Sequence, residues 1–201
     1  MTLIEYVGYL LLTAYLLVFF GLTAAAAQRA KRSVWLFGAA TPGQRLPATL
    51  FQLGFIGAAL WPLARAGFAL SGAESAAHVI FGRNVLDIVG CLLIGIGVCI
   101  AGLAQAQMGA SWRIGAAKGQ SGALVAKGLF RLSRNPVFLG QIILFVGLFV
   151  MFPDVLQGGL TIAIVAAARL QVVIEEQELA VSLGEPYFDY QRRVRRWFGA
   201  G

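Results

Sequence analysis

Residues 136–174 read PVFLGQIILFVGLFVMFPDVLQGGLTIAIVAAARLQVVI. Apart from Gln141, Asp154, Gln157, Thr161, Arg169 and Gln171, every residue in this stretch is apolar, glycine or proline. It is too long for one crossing of a hydrocarbon core about 30 Å thick, which a helix spans in about 20 residues. Pro153 and Asp154 divide it near its middle. A connection that short joins two antiparallel helices, which places spans at about 136–152 and 154–174.

Working outward, three further apolar stretches of spanning length lie at approximately 3–27, 47–70 and 85–108. The expected fold is therefore all-α: a polytopic integral membrane protein with about five transmembrane helices. The fourth and fifth form a hairpin, and a helix follows them at the C-terminus. Composition agrees, because 59% of the 201 residues are hydrophobic and 12% charged, where a soluble domain carries about 25% charged residues. The first stretch has no basic segment before it and exceeds the apolar core of a secretion signal, so it is expected to be retained as a span.

Charge sets the expected orientation. Arg29, Lys31, Arg32 and Arg45 lie in 28–46; Arg113, Lys118, Lys127, Arg131 and Arg134 lie in 109–135; Arg192, Arg193, Arg195 and Arg196 lie in the tail. These three segments fall on one side only if the chain crosses five times. The positive-inside rule then puts them in the cytoplasm, with the N-terminus outside. The net charge of +7 is spread between apolar segments, which fits contact with membrane lipids and argues against nucleic acid as a partner.

Other features exclude more than they assign. Cys91 and Cys99 fall within one apolar run, with no cluster that suggests a metal site or a disulfide framework. Gly95-Ile96-Gly97 lacks a preceding strand and a correctly spaced third glycine, so small-residue helix packing explains it better than a dinucleotide loop. Pro62 is expected to kink the second span. The single histidine, His78, falls in the expected outer loop at 71–84.

Polar groups at membrane depth are costly and mark candidate sites. At the end of the fifth span stand Arg169, Gln171, Glu175, Glu176 and Glu178. On a helix Gln171 and Glu175 are i, i+4 neighbours, while Arg169 and Glu176 share another stripe. Arg169, Gln171 and Glu175 are the candidate catalytic residues, and Glu178 reads as a solvated helix end. A second candidate is 128–140, GLFRLSRNPVFLG, where Asn135 suits a helix cap and Pro136 a first turn. A helix start there would offer free N–H groups to an anionic ligand.

Two motifs carry a family resemblance. Leu124-Val125, Gly128 to Phe130, and Arg134-Asn135-Pro136-Val137-Phe138 with Gly140 resemble the L-V-x-x-G-x-Y…R-H-P-x-Y-x-G pattern of the isoprenylcysteine carboxyl methyltransferases and the related phospholipid N-methyltransferases. Glu175-Glu176 with Leu179, then Gly184, Tyr187, Tyr190 and Val194, resemble the E-E-x-x-L…F-G-x-x-Y-x-x-Y-x-x-x-V tail of the same family. The resemblance covers about 107–197. It implies S-adenosylmethionine as methyl donor. Leu124, Val125, Phe130, Arg134, Asn135, Pro136, Phe138, Glu175 and Glu176 would form its site, with Glu175 on the amino group. It also implies two parts: residues 1–106 as a substrate-access region and residues 107–201 as the donor-binding catalytic half. The implied acceptor is a lipophilic or prenylated molecule at the cytoplasmic face.

Methyl transfer from a sulfonium to a carboxylate is an in-line displacement that needs neither a metal nor a general base. Opposite charges cancel as it proceeds, so a dry site at the membrane edge favours it. The departures bear on the acceptor. Asn135 stands for the motif histidine, Phe130 and Phe138 for tyrosines, and Gln171 for a substrate-facing arginine. Without that arginine the resemblance implies the donor more than the family's carboxylate acceptor. Membrane sterol reductases that use NADPH share an R-x-P-x-Y-x-G-E segment, but here Gln141 takes the glutamate position and their tail is absent. A non-enzymatic scaffold or a transporter is the third reading; the odd span count and the lack of paired broken helices argue against the latter.

Overall fold

The computed structural model describes residues 2–31, 34, 42–67, 81–114 and 123–199; Arg32, His78 and Lys118 fall outside them. Six α-helices make up the described chain: α1 (Leu3–Ala30), α2 (Pro42–Gly67), α3 (Arg83–Met108), α4 (Pro136–Met151), α5 (Val155–Leu183) and α6 (Glu185–Arg193). Single 3₁₀ turns lie at Gly109–Ser111 and Gly128–Arg131, and no strand occurs among the described residues. Helices α1, α2, α3 and α5 are long and apolar enough to cross a membrane, and α4 is a shorter apolar helix. The protein is a multi-pass, all-α membrane protein.

The surface shows what its solvent is. Leu10 and Leu17 on α1, Leu53 on α2, Leu92 and Leu103 on α3 and Ile162 on α5 are all exposed. A row of large apolar side chains of that kind is stable against lipid and costly against water. Inside the bundle, Leu12, Ile94, Leu144, Phe145, Leu148 and Ile164 form the main core.

Helix α4 packs most extensively on α3, not on α5, its neighbour in sequence. The cause is a run of small residues. Gly90 and Gly97 on α3 face Gly147 and Gly140 on α4, so the two backbones approach directly. A Cβ built on Gly97 would lie 2.5 Å from the Gly140 carbonyl oxygen and from the Leu144 nitrogen, and one on Gly140 would lie 2.5 Å from the Ala101 nitrogen. Without a hydrophobic force between helices in lipid, such close backbone contact supplies the association. Gly95 and Gly102 turn instead toward Leu11 and Val18 of α1.

The α4–α5 turn is as tight as Pro153 and Asp154 require. Asp154 accepts the Gln157 N–H at 2.9 Å, capping α5, and accepts the Trp61 indole N–H from α2. Beyond the turn Phe149 lies over Gly158, and Thr161 Oγ1 donates to the Phe145 carbonyl at 3.4 Å. Those pairs run antiparallel, as expected for a hairpin. At the same end, Arg83 of α3 meets the buried Glu5 carboxylate of α1 at 2.7 Å, and Thr2 Oγ1 donates to buried Asp87.

Helix α5 runs beyond the span end at 174 to Leu183, so Gln171, Glu175 and Glu176 share one helix as their spacing suggests. Residues 175–183 are mostly good helix formers, and the chain breaks only at Gly184, whose φ of +60° suits a residue without a Cβ. Asn135 stands at the cap position of α4, but its side chain makes no cap hydrogen bond.

Overpacking the α3–α4 seam should be felt strongly. Gly97→Leu is expected to destabilise the protein by about 3 kcal/mol or more, because backbone atoms rather than flexible side-chain ends must move. Gly159, with nothing within 4 Å of its Cβ position, is the control: Gly159→Ala should change stability by less than about 0.5 kcal/mol. Thermal unfolding of both variants in detergent checks the pair.

Candidate functional site

The end of the bundle opposite the Pro153 turn is assembled around one carboxylate. Glu176, on α5, is 5% exposed and accepts five N–H donors. Arg134 approaches it in a fork, Nε to Oε1 at 3.1 Å and one terminal nitrogen to Oε2 at 3.0 Å. Arg196 takes Oε2 from the other side at 2.9 and 3.1 Å, and Asn135 Nδ2 donates to Oε1 at 2.9 Å. The second terminal nitrogen of Arg134 donates to the carbonyls of Val194 and Gln191. A planar five-donor guanidinium suits this double duty. The clamp also orients the Asn135 side chain: Nδ2 donates to Glu176 and to the Arg196 carbonyl, while Oδ1 makes no cap bond to α4.

Further bonds fix the loops around this clamp. Tyr190 of α6 donates its hydroxyl to the Phe130 carbonyl at 2.7 Å. Burial raises the pKa of this phenol and pushes that of Tyr187 up to about 12, so both stay neutral at pH 7. Gln107, near the end of α3, accepts the Leu129 N–H at 2.9 Å, and Gly128 passes over it with φ +61° where a Cβ would clash. Thr23 on α1 receives both Gln105 Nε2 and Trp112 Nε1 at 3.0 Å and gives its own proton to the Phe19 carbonyl. That bond pins Trp112, and so places Arg113 beside it.

These elements enclose a cavity of about 380 Å³, within the range of small-molecule and cofactor sites. One wall is polar. Arg113, Arg134, Asn135, Gln171 and Glu175 line it, with Tyr187 and Tyr190 behind. Gln171 Nε2 donates to Glu175 Oε1 at 3.1 Å, which leaves Gln171 Oε1 buried without a partner. Arg113 makes no hydrogen bond among the described residues, although its charge acts on Glu175. Pro136, Val137 and Phe138 bring the start of α4 to the cavity, with no side chain capping its first N–H groups.

The other wall is apolar and comes from α1 and α2: Leu16, Phe20, Phe51, Phe55 and Ile56. Phe138 meets Phe51 edge to face at 5.8 Å, which joins the two walls. Helix α1 packs on α3 and α2 on α5, while α1 and α2 do not pack closely on each other. Both helices thus contribute to the apolar side of the cavity, and elsewhere along their length Tyr9 Oη of α1 donates to the Ala59 carbonyl of α2 at 3.2 Å.

Of the residues singled out by sequence, Leu124, Val125, Phe130, Arg134, Asn135, Pro136, Phe138, Gln171 and Glu175 all line this cavity. Glu176 does not; it stands behind the wall and holds Arg134 and Asn135 in place. Arg169 is not brought to the cavity either. It lines a separate groove with Val146, Ile162 and Val165, between α4 and α5. Arg113, Arg196 and the aromatic pair Phe51 and Phe55 were not singled out as site residues. Tyr187 and Tyr190 entered the sequence reading only through the tail motif.

A pocket that joins a clamped carboxylate wall to a lipid-side aromatic wall is what the chain offers for comparison with known proteins. No curated protein and no solved structure matches it significantly. The family model described as phospholipid methyltransferase matches residues 85–185. That span runs from the first turn of α3 to the start of α6 and contains most of the polar wall. With half of its length matched, over the elements that build the cavity, the chain belongs to the phospholipid methyltransferase family.

Proposed function

We propose that this protein is an S-adenosylmethionine-dependent methyltransferase acting on a lipophilic acceptor that enters from the bilayer. The observation that carries this reading is the cavity itself, with Glu175 and Arg113 on a polar wall and Phe51 and Phe55 facing them across an apolar one.

The residues present suit the donor. Its amino-acid end carries one positive and one negative charge, and the polar wall offers one of each sign. Glu175 would take the ammonium group. Arg113, with no hydrogen-bond partner among the described residues, would take the carboxylate, helped by the uncapped start of α4. Phe130, Leu124 and Val125 supply the apolar and backbone surface for a nucleoside. S-adenosylmethionine, when bound, supplies an electrophilic methyl group on a sulfonium.

The chain's own contribution is positioning and exclusion of water. The Glu176 clamp holds the 134–136 corner, so the polar wall is built before any ligand arrives. Gln171 lines the cavity, and its amide would orient a protic group at the reacting end of the acceptor. A residue of that kind carries no charge to attract a carboxylate, so this reading does not single out isoprenylcysteine among lipophilic acceptors. Residues 1–106 then serve acceptor access and 107–201 hold the donor. The positive-inside rule, applied to the basic loops, supports a site at the cytoplasmic face with the N-terminus outside. Arg169 has no contact with the cavity and no role in this scheme.

Calorimetry with S-adenosylhomocysteine should show binding, and Glu175→Gln should weaken it about tenfold or more, the loss of a charge-assisted hydrogen bond. Stabilisation by NADPH alone would overturn the methyltransferase reading in favour of a reductase. Arg113→Ala should weaken S-adenosylhomocysteine by a similar factor, yet leave its decarboxylated analogue unaffected. Equal loss for both ligands would remove Arg113 from carboxylate recognition. With labelled donor in nanodiscs, methyl transfer is expected to at least one lipid-soluble acceptor and to none of the water-soluble analogues lacking the apolar tail.

A further inference from the structure

Arg169 stands apart by its depth on α5 rather than by lacking an ion pair, since Arg113 also makes no hydrogen bond among the described residues. Arg83, Arg134, Arg192 and Arg196 each meet a carboxylate, while Arg169 is exposed and makes no hydrogen bond or ion pair among the described residues. It lies 15 residues after the Asp154 cap of α5, hence about 22 Å along the helix at 1.5 Å per residue. That is inside a hydrocarbon core about 30 Å thick. A cation at that depth needs an anion or a route to water.

Its surroundings supply neither from the protein. Arg169 lines a groove of about 370 Å³ with Val146 of α4 and Thr161, Ile162, Val165 and Ala166 of α5. All the α5 members lie one or two turns toward the N-terminus of the helix, the direction in which a helical side chain leans. That lean favours placing the guanidinium on the groove, which Arg169 lines. Helix α4, with 16 residues, is about 24 Å long, shorter than the core it adjoins. A headgroup must be drawn inward beside it.

We propose that the groove between α4 and α5 binds one anionic phospholipid, its phosphate on Arg169 and an acyl chain along Val146, Ile162 and Val165. Guanidinium and phosphate match in charge and geometry. No acidic residue lines the groove, so the ammonium of a zwitterionic headgroup finds no partner there. The anionic class follows from that asymmetry. The site is separate from the cavity, and its occupancy does not depend on the methyltransferase reading.

Native mass spectrometry of the full chain, purified in mild detergent and titrated with dioleoylphosphatidylglycerol or dioleoylphosphatidylcholine, tests it. The wild type should retain one phosphatidylglycerol with clear preference over phosphatidylcholine. Arg169→Gln should lower that retention about tenfold, as expected for one charge-assisted contact. Ile162→Trp, which fills the groove and keeps the charge, should lower it as well; far-ultraviolet circular dichroism checks that both variants fold. Undiminished retention in Arg169→Gln overturns the proposal. So does equal retention of the two lipids, or a wild-type dimer that Arg169→Gln converts to monomer, which would make a second copy the occupant.

Discussion

A carboxylate near the edge of an apolar bundle is stable only if its charge is answered, and Glu176 is answered by three residues from two separate parts of the chain. Arg134 and Asn135 reach it from the start of α4, and Arg196 from the C-terminal segment. Breaking one such contact leaves the others with an uncompensated charge. The clamp therefore ties the end of α5, the entry into α4 and the tail beyond α6 into one unit. The cavity's polar wall is the outer surface of that unit, and its shape depends on the clamp more than on any residue that lines it.

The second constraint is the direct approach of α3 and α4. Glycines spaced seven apart on both helices, Gly90 with Gly97 and Gly140 with Gly147, remove the side chains that would separate the backbones. The seam fixes the start of α4 relative to Gln107, and Gln107 in turn holds the 128–131 turn. Packing in the middle of the membrane and geometry at its edge are thus coupled through short covalent distances. The larger residues of α4, among them Leu144, Leu148 and Met151, then fill the core on the remaining sides.

Much of this was legible in the sequence, for identifiable reasons. Apolar runs of spanning length declare themselves, and the tight Pro153 turn left no alternative to a hairpin. The packing partner of α4 was less plain, because adjacency in sequence suggested α5 while the glycine spacing pointed to α3. Helical spacing separates Glu175 from Glu176, but the family motif assigns both to the donor site. Residues 175 and 176 stand about 100° apart on a helix, so one faces the cavity and the other the clamp. Asn135 satisfies the statistics of a cap, but its Nδ2 is held by the Glu176 carboxylate and its Oδ1 makes no cap bond. Arg113 looked like one basic loop residue among several; only the bond from Trp112 to Thr23 shows why it is held over the cavity. Arg169 was grouped with Gln171 and Glu175 by proximity in sequence, and its own helical stripe carries it away from them.

Entry from the bilayer, as proposed above, has a consequence for how the pocket would meet its acceptor past the apolar lining that α1 and α2 supply. Under that proposal a ligand arrives by diffusion in two dimensions, from a leaflet in which it is already dissolved. Its effective concentration is then a mole fraction of the surrounding lipid rather than a molarity. Adding inert bilayer would dilute it without any change in bulk volume. Saturation would then be properly expressed per lipid, with partitioning into the membrane preceding recognition.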